Sequence, residues 1–362
     1  MDSHKTLFIP GPTEVPEFIR EALSRPVVGH RSEEYEEIHE RVITRLKKLL
    51  HTDQNVFLAT CSGTGMLEAG SRNLLREDDT VLNCICGSWS KRWQLITERC
   101  GKTTDSVTVD EGQPLLPELI DEKLQSGSYD AVTVIHNETA TGVMNPIKEI
   151  GEMLENHPDV LYMVDAVSSM AGTEIKVDDW GLDFVVSSVQ KCFAVPPGLT
   201  VFAMSDQAFQ RGLDVENPGY YFDLENFKSY NDKNQLISTG SLPQVFGLDV
   251  QLDNIINDEG PQNRYQRHEE MAERTREWAL EQGFGLFAEE GYESSTITCV
   301  DNTLGISIDR LNEHLAERGF VISNGYGDLA EETFRIGHMG EHRMDDLNEL
   351  LDHMEDIIQN EL

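Results

Sequence analysis

Two charged residues stand where strand-like runs end. Lys191 closes Phe184-Val185-Val186-Ser187-Ser188-Val189-Gln190-Lys191, and Asp165 closes Leu161-Tyr162-Met163-Val164-Asp165. Strands that are apolar on both faces belong to parallel sheets covered by helices. Ligands of such sheets sit outside the carboxyl ends of the strands. A lysine and an aspartate delivered to that edge fit a pyridoxal phosphate (PLP) site. The lysine would form the Schiff base and the aspartate would pair with the pyridinium nitrogen. A lone lysine after a strand is more often a solvated end, so the pairing carries the reading.

Other residues fit the same chemistry. Ser62-Gly63-Thr64-Gly65-Met66 lies between a strand and a helix, where glycines let the backbone approach an anion and the first free N–H groups favour phosphate. A strand–glycine–helix turn is as often plain turn chemistry. No Gly-Lys-Ser/Thr follows, so it is not a Walker A loop. Trp89 opens a helix after Cys86-Gly87-Ser88, and an indole there can stack on a pyridine ring; an isolated Trp is more often core. The polar run 136–142, after the strand at 131–135, points at the same crevice or merely caps it. Arg335 precedes Gly337-His338-Met339-Gly340. Its guanidinium matches a substrate carboxylate with a bidentate fork, or makes a structural ion pair.

The elements that must position these residues alternate. Strand patterns at 56–59, 80–82, 131–135, 161–165 and 184–191 are separated by helical patterns, notably 66–75, 89–96 and 148–154. Repeated β-α units imply a mostly parallel, helix-covered α/β sheet. After about residue 260 the character changes. A charged helical stretch (264–282) leads to strands at 295–300, 320–322 and 333–336, with a Gly-rich loop at 324–328. A last helix has Met344, Leu347, Leu351, Met354 and Ile358 on one face. The expected organisation is a large α/β domain over 16–255 and a smaller α+β domain built from 1–15 and 256–362.

Composition bounds the partners. At 362 residues the chain can bury a large core. No apolar stretch reaches the roughly 20 residues that span a bilayer, and Met1 to Lys5 lead into Leu7-Phe8-Ile9 without signal-peptide organisation. A cytoplasmic protein is expected. The net charge of −36 argues against nucleic acid or an anionic membrane as partner. Lysine is scarce beside arginine, and a dispersed acidic surface of that kind is compatible with a salt-rich cytoplasm. The six cysteines are expected to be reduced. Cys84 and Cys86 read as small hydrophobes on one strand face, not as half of a zinc site.

Taken in order, the motifs resemble the class V aminotransferases, PLP enzymes of fold type I, in their alanine–glyoxylate/serine–glyoxylate (serine–pyruvate) branch. The resemblance runs from Ile9-Pro10-Gly11-Pro12-Thr13 and Gly29-His30-Arg31 through Ser62–Gly65, Asp165–Ser169 and Ser188–Lys191 with Pro196-Pro197-Gly198, to Phe334–Gly340. It implies Lys191 as Schiff-base lysine and Asp165 as pyridinium partner. Trp89 and Val167 would flank the cofactor. Thr64, Gly65, Met66 and Gln190 would contact its phosphate, and Thr139 would lie near its 3-hydroxyl. Arg335 and Gly11 would contact substrate. It further implies a homodimer with shared active sites, Thr239 being given to the neighbouring subunit's cofactor. Leu236 stands where some relatives have Tyr, and Cys192 where many have Ser, Ala or Gly.

The implied reaction moves an amino group from a small L-amino acid, alanine or serine, to a 2-oxo acid, glyoxylate or pyruvate. Aspartate, phosphoserine or 2-aminoethylphosphonate are alternative donors, and a second anion would need an extra cation such as Arg31. A cysteine desulfurase fits less well, because Gln190 rather than His precedes the lysine and the 324–328 loop has no Cys. A non-catalytic binding protein would have no need to keep Lys191, Asp165 and Arg335 together.

Overall fold

The computed structural model describes residues 4–362. Its larger sheet has seven strands in the order Asn55–Ala59, Thr200–Met204, Phe184–Ser188, Leu161–Asp165, Ala131–Ile135, Thr80–Ile85, Thr103–Thr108. The last five run parallel. Thr200–Met204 is antiparallel to both its neighbours, so Asn55–Ala59 points the same way as Phe184–Ser188.

Alternate residues of these strands feed two cores. Val132, Val134, Tyr162, Val164 and Val185 face one side with helices Glu33–Leu49, Pro117–Ser126 and Ile147–Leu154. Ile135, Leu161, Met163, Phe184 and Val186 face the other with Gly63–Asn73 and Ser88–Arg99. Both faces are dry, which is why the strands read as continuous apolar runs rather than as alternations. Cys84 and Cys86 both pack in the first core.

A second sheet has the order Thr6–Phe8, Phe320–Asn324, Thr333–Gly337, Ile297–Asp301, Gly285–Leu286. Thr6–Phe8 pairs in parallel with Phe320–Asn324 and so joins a sheet built otherwise from the last third of the chain. Phe8 shares a core with Met271, Trp278, Leu311, Leu347, Leu351 and Met354 from helices Pro261–Glu281, Ile308–Glu317 and Met344–Asn360. Among the described residues, no helix is long and apolar enough to cross a membrane.

One boundary differs in a way that matters for chemistry. The strand expected to run to Lys191 ends at Ser188. Val189 donates to the Leu199 carbonyl (3.2 Å) and accepts from Val195 N–H (3.0 Å), which turns the chain out of the ladder. The apolar run continues because Val189, Cys192 and Phe193 stay in the core after the strand has ended. Lys191 therefore stands on a turn beyond the sheet edge. Asp165 closes its strand as expected. The charged helix begins at Pro261, ahead of the expected 264, since proline is tolerated in a first turn.

Candidate active site

The carboxyl ends of the strands ending at Ala59, Ile85, Ile135, Asp165 and Ser188 lie along one sheet edge, and the segments that follow them line a single cleft. Thr64 comes from the first, Trp89 from the second, Thr139 from the third, Asp165 and Val167 from the fourth, and Gln190 and Lys191 from the fifth. Five separate motifs of the sequence thus meet in one place.

Asp165 is buried, 6% exposed. Its Oδ1 accepts the Val167 N–H at 2.8 Å, and its other oxygen has no hydrogen bond among the described residues. Burial pushes its pKa up to about 7, more than the Val167 N–H can lower it. A carboxylate in that position gains from a cation set against its free oxygen.

Lys191 is the complementary case. Burial lowers its pKa to about 8, against the opposite pull of Cys192 and Asp165, so a neutral amine is accessible near neutral pH. Its Nζ donates to the Pro10 carbonyl. Gly11, with φ +95°, packs against the same side chain: a Cβ there would stand 2.5 Å from Lys191 Cδ and 2.9 Å from Nζ. Any larger residue would push the amine out of place. The Thr13 hydroxyl donates to the Lys191 carbonyl at 3.1 Å and fixes the turn.

At the start of helix Gly63–Asn73 the Ser62 side chain caps the Gly65 N–H (3.3 Å) and the Ser62 carbonyl takes the Met66 N–H (3.2 Å). Gly65 and Met66 thereby use their amides inside the helix, and Met66 is in the core. The amides of Gly63 and Thr64 have no acceptor among the described residues. Beside them Ser188 Oγ is buried without a partner, and a Cβ on Gly63 would stand 2.7 Å from that oxygen. This is an anion cradle. From the sequence alone Ser188 reads as the polar end of an apolar strand, with no sign that its hydroxyl faces the cleft.

Trp89 is held by a group the sequence hid. Glu138, fully buried, accepts the N–H groups of Trp89 (3.1 Å), Ser90 (3.1 Å) and Ala140 (3.2 Å) and the Ser90 hydroxyl (3.2 Å). It sits at the N-terminus of helix Ser88–Arg99, where a carboxylate is favoured. Thr139 Oγ1 is 2.7 Å from Ser168 Oγ, which also lines the cleft.

Arg335 comes from the second sheet. It is 7% exposed and donates to the carbonyls of Asn324 (3.0 Å) and Thr139 (3.3 Å). It has no carboxylate partner among the described residues. Burial lowers its pKa from the ordinary guanidinium value, yet a guanidinium stays charged, so a buried cation is left for an anion. Thr239 does not line this cleft. It is exposed, with Oγ1 3.4 Å from His30 Nε2. Arg31 is exposed too, donating to the Leu236 carbonyl at 2.6 Å.

A family model described as Aminotransferase class-V matches residues 16–328. The chain belongs to the class V aminotransferases. It is 38% identical to an uncharacterized aminotransferase of Methanocaldococcus jannaschii over 93% of this chain and 88% of that one. It is 32% identical to a serine–glyoxylate aminotransferase of Methylorubrum extorquens over 95% and 87%. An alanine–glyoxylate aminotransferase from Nostoc sp. superposes with a TM-score of 0.93 at 24% identity, covering 98% of this chain and 96% of that one. The fold is that of the fold type I PLP enzymes, as the sequence implied.

The cofactor of this class V aminotransferase is pyridoxal phosphate, and the residues present fit it. Asp165 offers a buried carboxylate oxygen in want of a cation. Gly63, Thr64 and the orphaned Ser188 hydroxyl offer donors for a phosphate. Lys191 offers the amine.

Proposed function

We propose that the protein transfers the amino group of a small L-amino acid, alanine or serine, to glyoxylate or pyruvate. The observation that carries this is the buried, unpaired Arg335 guanidinium bonded to the cleft wall at Thr139. One fixed cation there suits the α-carboxylate that every such donor and acceptor shares. The serine–glyoxylate name of a relative supports the choice of substrates.

Lys191 would hold the cofactor through its aldehyde. Asp165 would keep the ring nitrogen protonated, Trp89 and Val167 would flank the ring, and Thr139 with Ser168 would face the 3-hydroxyl. Gly63, Thr64, Ser188 and Gln190 would take the phosphate, with Gly65 and Met66 shaping that helical turn. PLP, when bound, supplies an electron sink for the charge left at Cα. Once displaced, the Lys191 amine takes the Cα proton and returns it, as general base and then acid. Gly11 keeps room for that amine and for substrate.

The same reading makes the enzyme a cytoplasmic homodimer, with Thr239 reaching the cofactor of the other subunit. It divides the chain into a large domain, 16–255, and a small one formed by 1–15 and 256–362. Thr239 supports this by standing exposed and outside its own cleft.

The test is an absorbance titration of the PLP-loaded protein. Alanine or serine should remove the visible cofactor band, and glyoxylate or pyruvate should restore it. If cysteine alone reacts and sulfide is released, the reading gives way to a desulfurase. If no visible band forms with PLP, the assignment of Lys191 is wrong.

A further inference from the structure

Eleven of the eighteen arginines are paired with carboxylates. Of the seven without a partner among the described residues, five are exposed. The two that are not are Arg335 and Arg92. In a chain with 65 acidic residues and 29 basic ones, a shielded guanidinium left unpaired is unusual. Arg335 is absorbed by the reading above; Arg92 is not.

Arg92 lies one helical turn after Trp89 and lines the same cleft as Asp165 and Lys191. Its guanidinium carbon stands 4.1 Å from the centroid of the Trp89 ring, and it donates to the Tyr326 hydroxyl at 2.7 Å. The other side of that link is Arg335, whose guanidinium carbon is 5.5 Å from the Tyr326 ring centroid. Tyr326 thus stands against both cations, its hydroxyl bonded to Arg92 and its ring beside Arg335. Arg92 makes no other hydrogen bond among the described residues, so most of its five N–H donors remain for a ligand. A planar fork with free donors is suited to a carboxylate.

We propose that Arg92 is the contact for a second carboxylate on the substrate, so that the cleft takes a four-carbon dicarboxylic amino acid, aspartate, in addition to alanine or serine. The α-carboxylate would pair with Arg335 and the side-chain carboxylate with Arg92. The amino group of aspartate passes to glyoxylate, giving oxaloacetate and glycine, and no oxidant or reductant is needed. Arg31, the cation the sequence offered for a second anion, is exposed and outside the cleft of its own chain. The inference rests on the transaminase reading and adds to it a specificity-determining residue.

The experiment compares PLP-loaded wild type, Arg92→Gln and Arg92→Lys with aspartate, serine and phosphoserine as donors, and measures competition by succinate. Loss of the visible band on adding serine to the wild type tests the transaminase reading by itself. For Arg92, the aspartate-to-serine ratio of kcat/KM should fall roughly ten- to a hundredfold in Arg92→Gln, the worth of a lost charge-assisted contact. The succinate inhibition constant should rise in step, with Arg92→Lys intermediate. Equal losses on aspartate and serine, with succinate inhibition unchanged, would overturn the proposal and make Arg92 a prop for the Trp89 ring. A wild type that prefers phosphoserine to aspartate would overturn it as well.

Discussion

The Val167 N–H donates to Asp165 Oδ1 at 2.8 Å, fixing the carboxylate by one oxygen and leaving the other toward the cleft. One residue therefore orients the group with its backbone while its side chain lines the wall where a cofactor ring would lie. Burial raises Asp165 to about 7, outweighing the Val167 N–H and the nearby Lys191, which pull it down.

That shift has a signed consequence in the cofactor-free protein. The folded pKa lies above the unfolded value near 3.9, so the folded state binds the extra proton between about pH 4 and 7. The contribution to stability is present below the unfolded pKa and is lost as pH rises through about 7. Asp165→Asn removes the titration. Cofactor-free Asp165→Asn should melt above wild type at pH 8 and match it near pH 4. In the PLP-loaded enzyme the same change should lower turnover by roughly 10²–10³-fold. Thermal melts at the two pH values, with one rate assay, check both halves; a variant that melts with wild type at pH 8 contradicts the burial argument.

Lys191 gives a kinetic counterpart. Its pKa of about 8 is set mainly by burial, and only the neutral amine attacks an aldehyde. Capture of PLP by cofactor-free protein should accelerate about tenfold per pH unit up to about 8 and then level off. An ordinary lysine would carry the rise past 10. Stopped-flow absorbance between pH 6 and 10 shows where the break falls. Borohydride treatment should then fix the cofactor on the peptide holding Lys191, and Lys191→Ala should abolish both that product and turnover.

Much of this was legible in the sequence because chemistry and hydrophobic pattern coincide. Asp165 ends a run with no polar interruption, and the run tells which edge it reaches. The motif at 62–66 announces itself by glycines. What was not legible is what depends on partners distant in sequence. Glu138 looks like any loop acid until the chain brings it to the amides of Trp89 and Ser90, 49 and 48 residues away. Ser188 looks like a tolerated polar residue in a strand until its hydroxyl is seen to lack a partner. The end of the strand before Lys191 was obscured because burial continues past the last ladder bond, and composition reports burial rather than pairing.

Glu138 yields a stability prediction. Both its oxygens accept hydrogen bonds, Oε1 from Trp89 and Ala140 and Oε2 from Trp89 and Ser90. Glu138→Gln keeps the volume but turns an NH₂ group toward donors. The cost should be about 1–3 kcal/mol, seen as a lower melting temperature in the cofactor-free protein. Trp89 should also hold its position less well, so PLP should dissociate faster. Unchanged stability would mean that water or a rearranged loop serves those amides equally well.

A helix beside the second sheet steadies the lysine turn. Arg264 is fully buried and belongs to helix Pro261–Glu281. Its Nη2 donates to the Cys192 carbonyl (2.6 Å) and its Nε to the Ala171 carbonyl (3.0 Å), while Nη1 meets Glu341 (2.6 Å) and Glu259 (2.9 Å). Burial alone would raise Glu259, but Arg267 and Arg264 outweigh it and hold it at about 2. A depressed carboxylate contributes stability above its unfolded pKa and loses it as pH falls through the folded one. Arg264→Met leaves Glu259 with Arg267 and Arg343 (2.7 and 2.9 Å), but leaves Glu341 with only the Gln251 amide (2.6 Å) and Arg343 at 3.5 Å. With two buried carbonyls also unserved, it should cost roughly 1–3 kcal/mol near neutrality. The gap to wild type should narrow as pH falls from about 4.5 toward 2. Adding Glu341→Gln should recover part of the loss by removing the less compensated of the two charges. Because Cys192 follows Lys191 directly, the single variant should also release PLP faster. A loss of stability with unchanged PLP release would confine Arg264 to holding the two sheets together, with no influence on the amine.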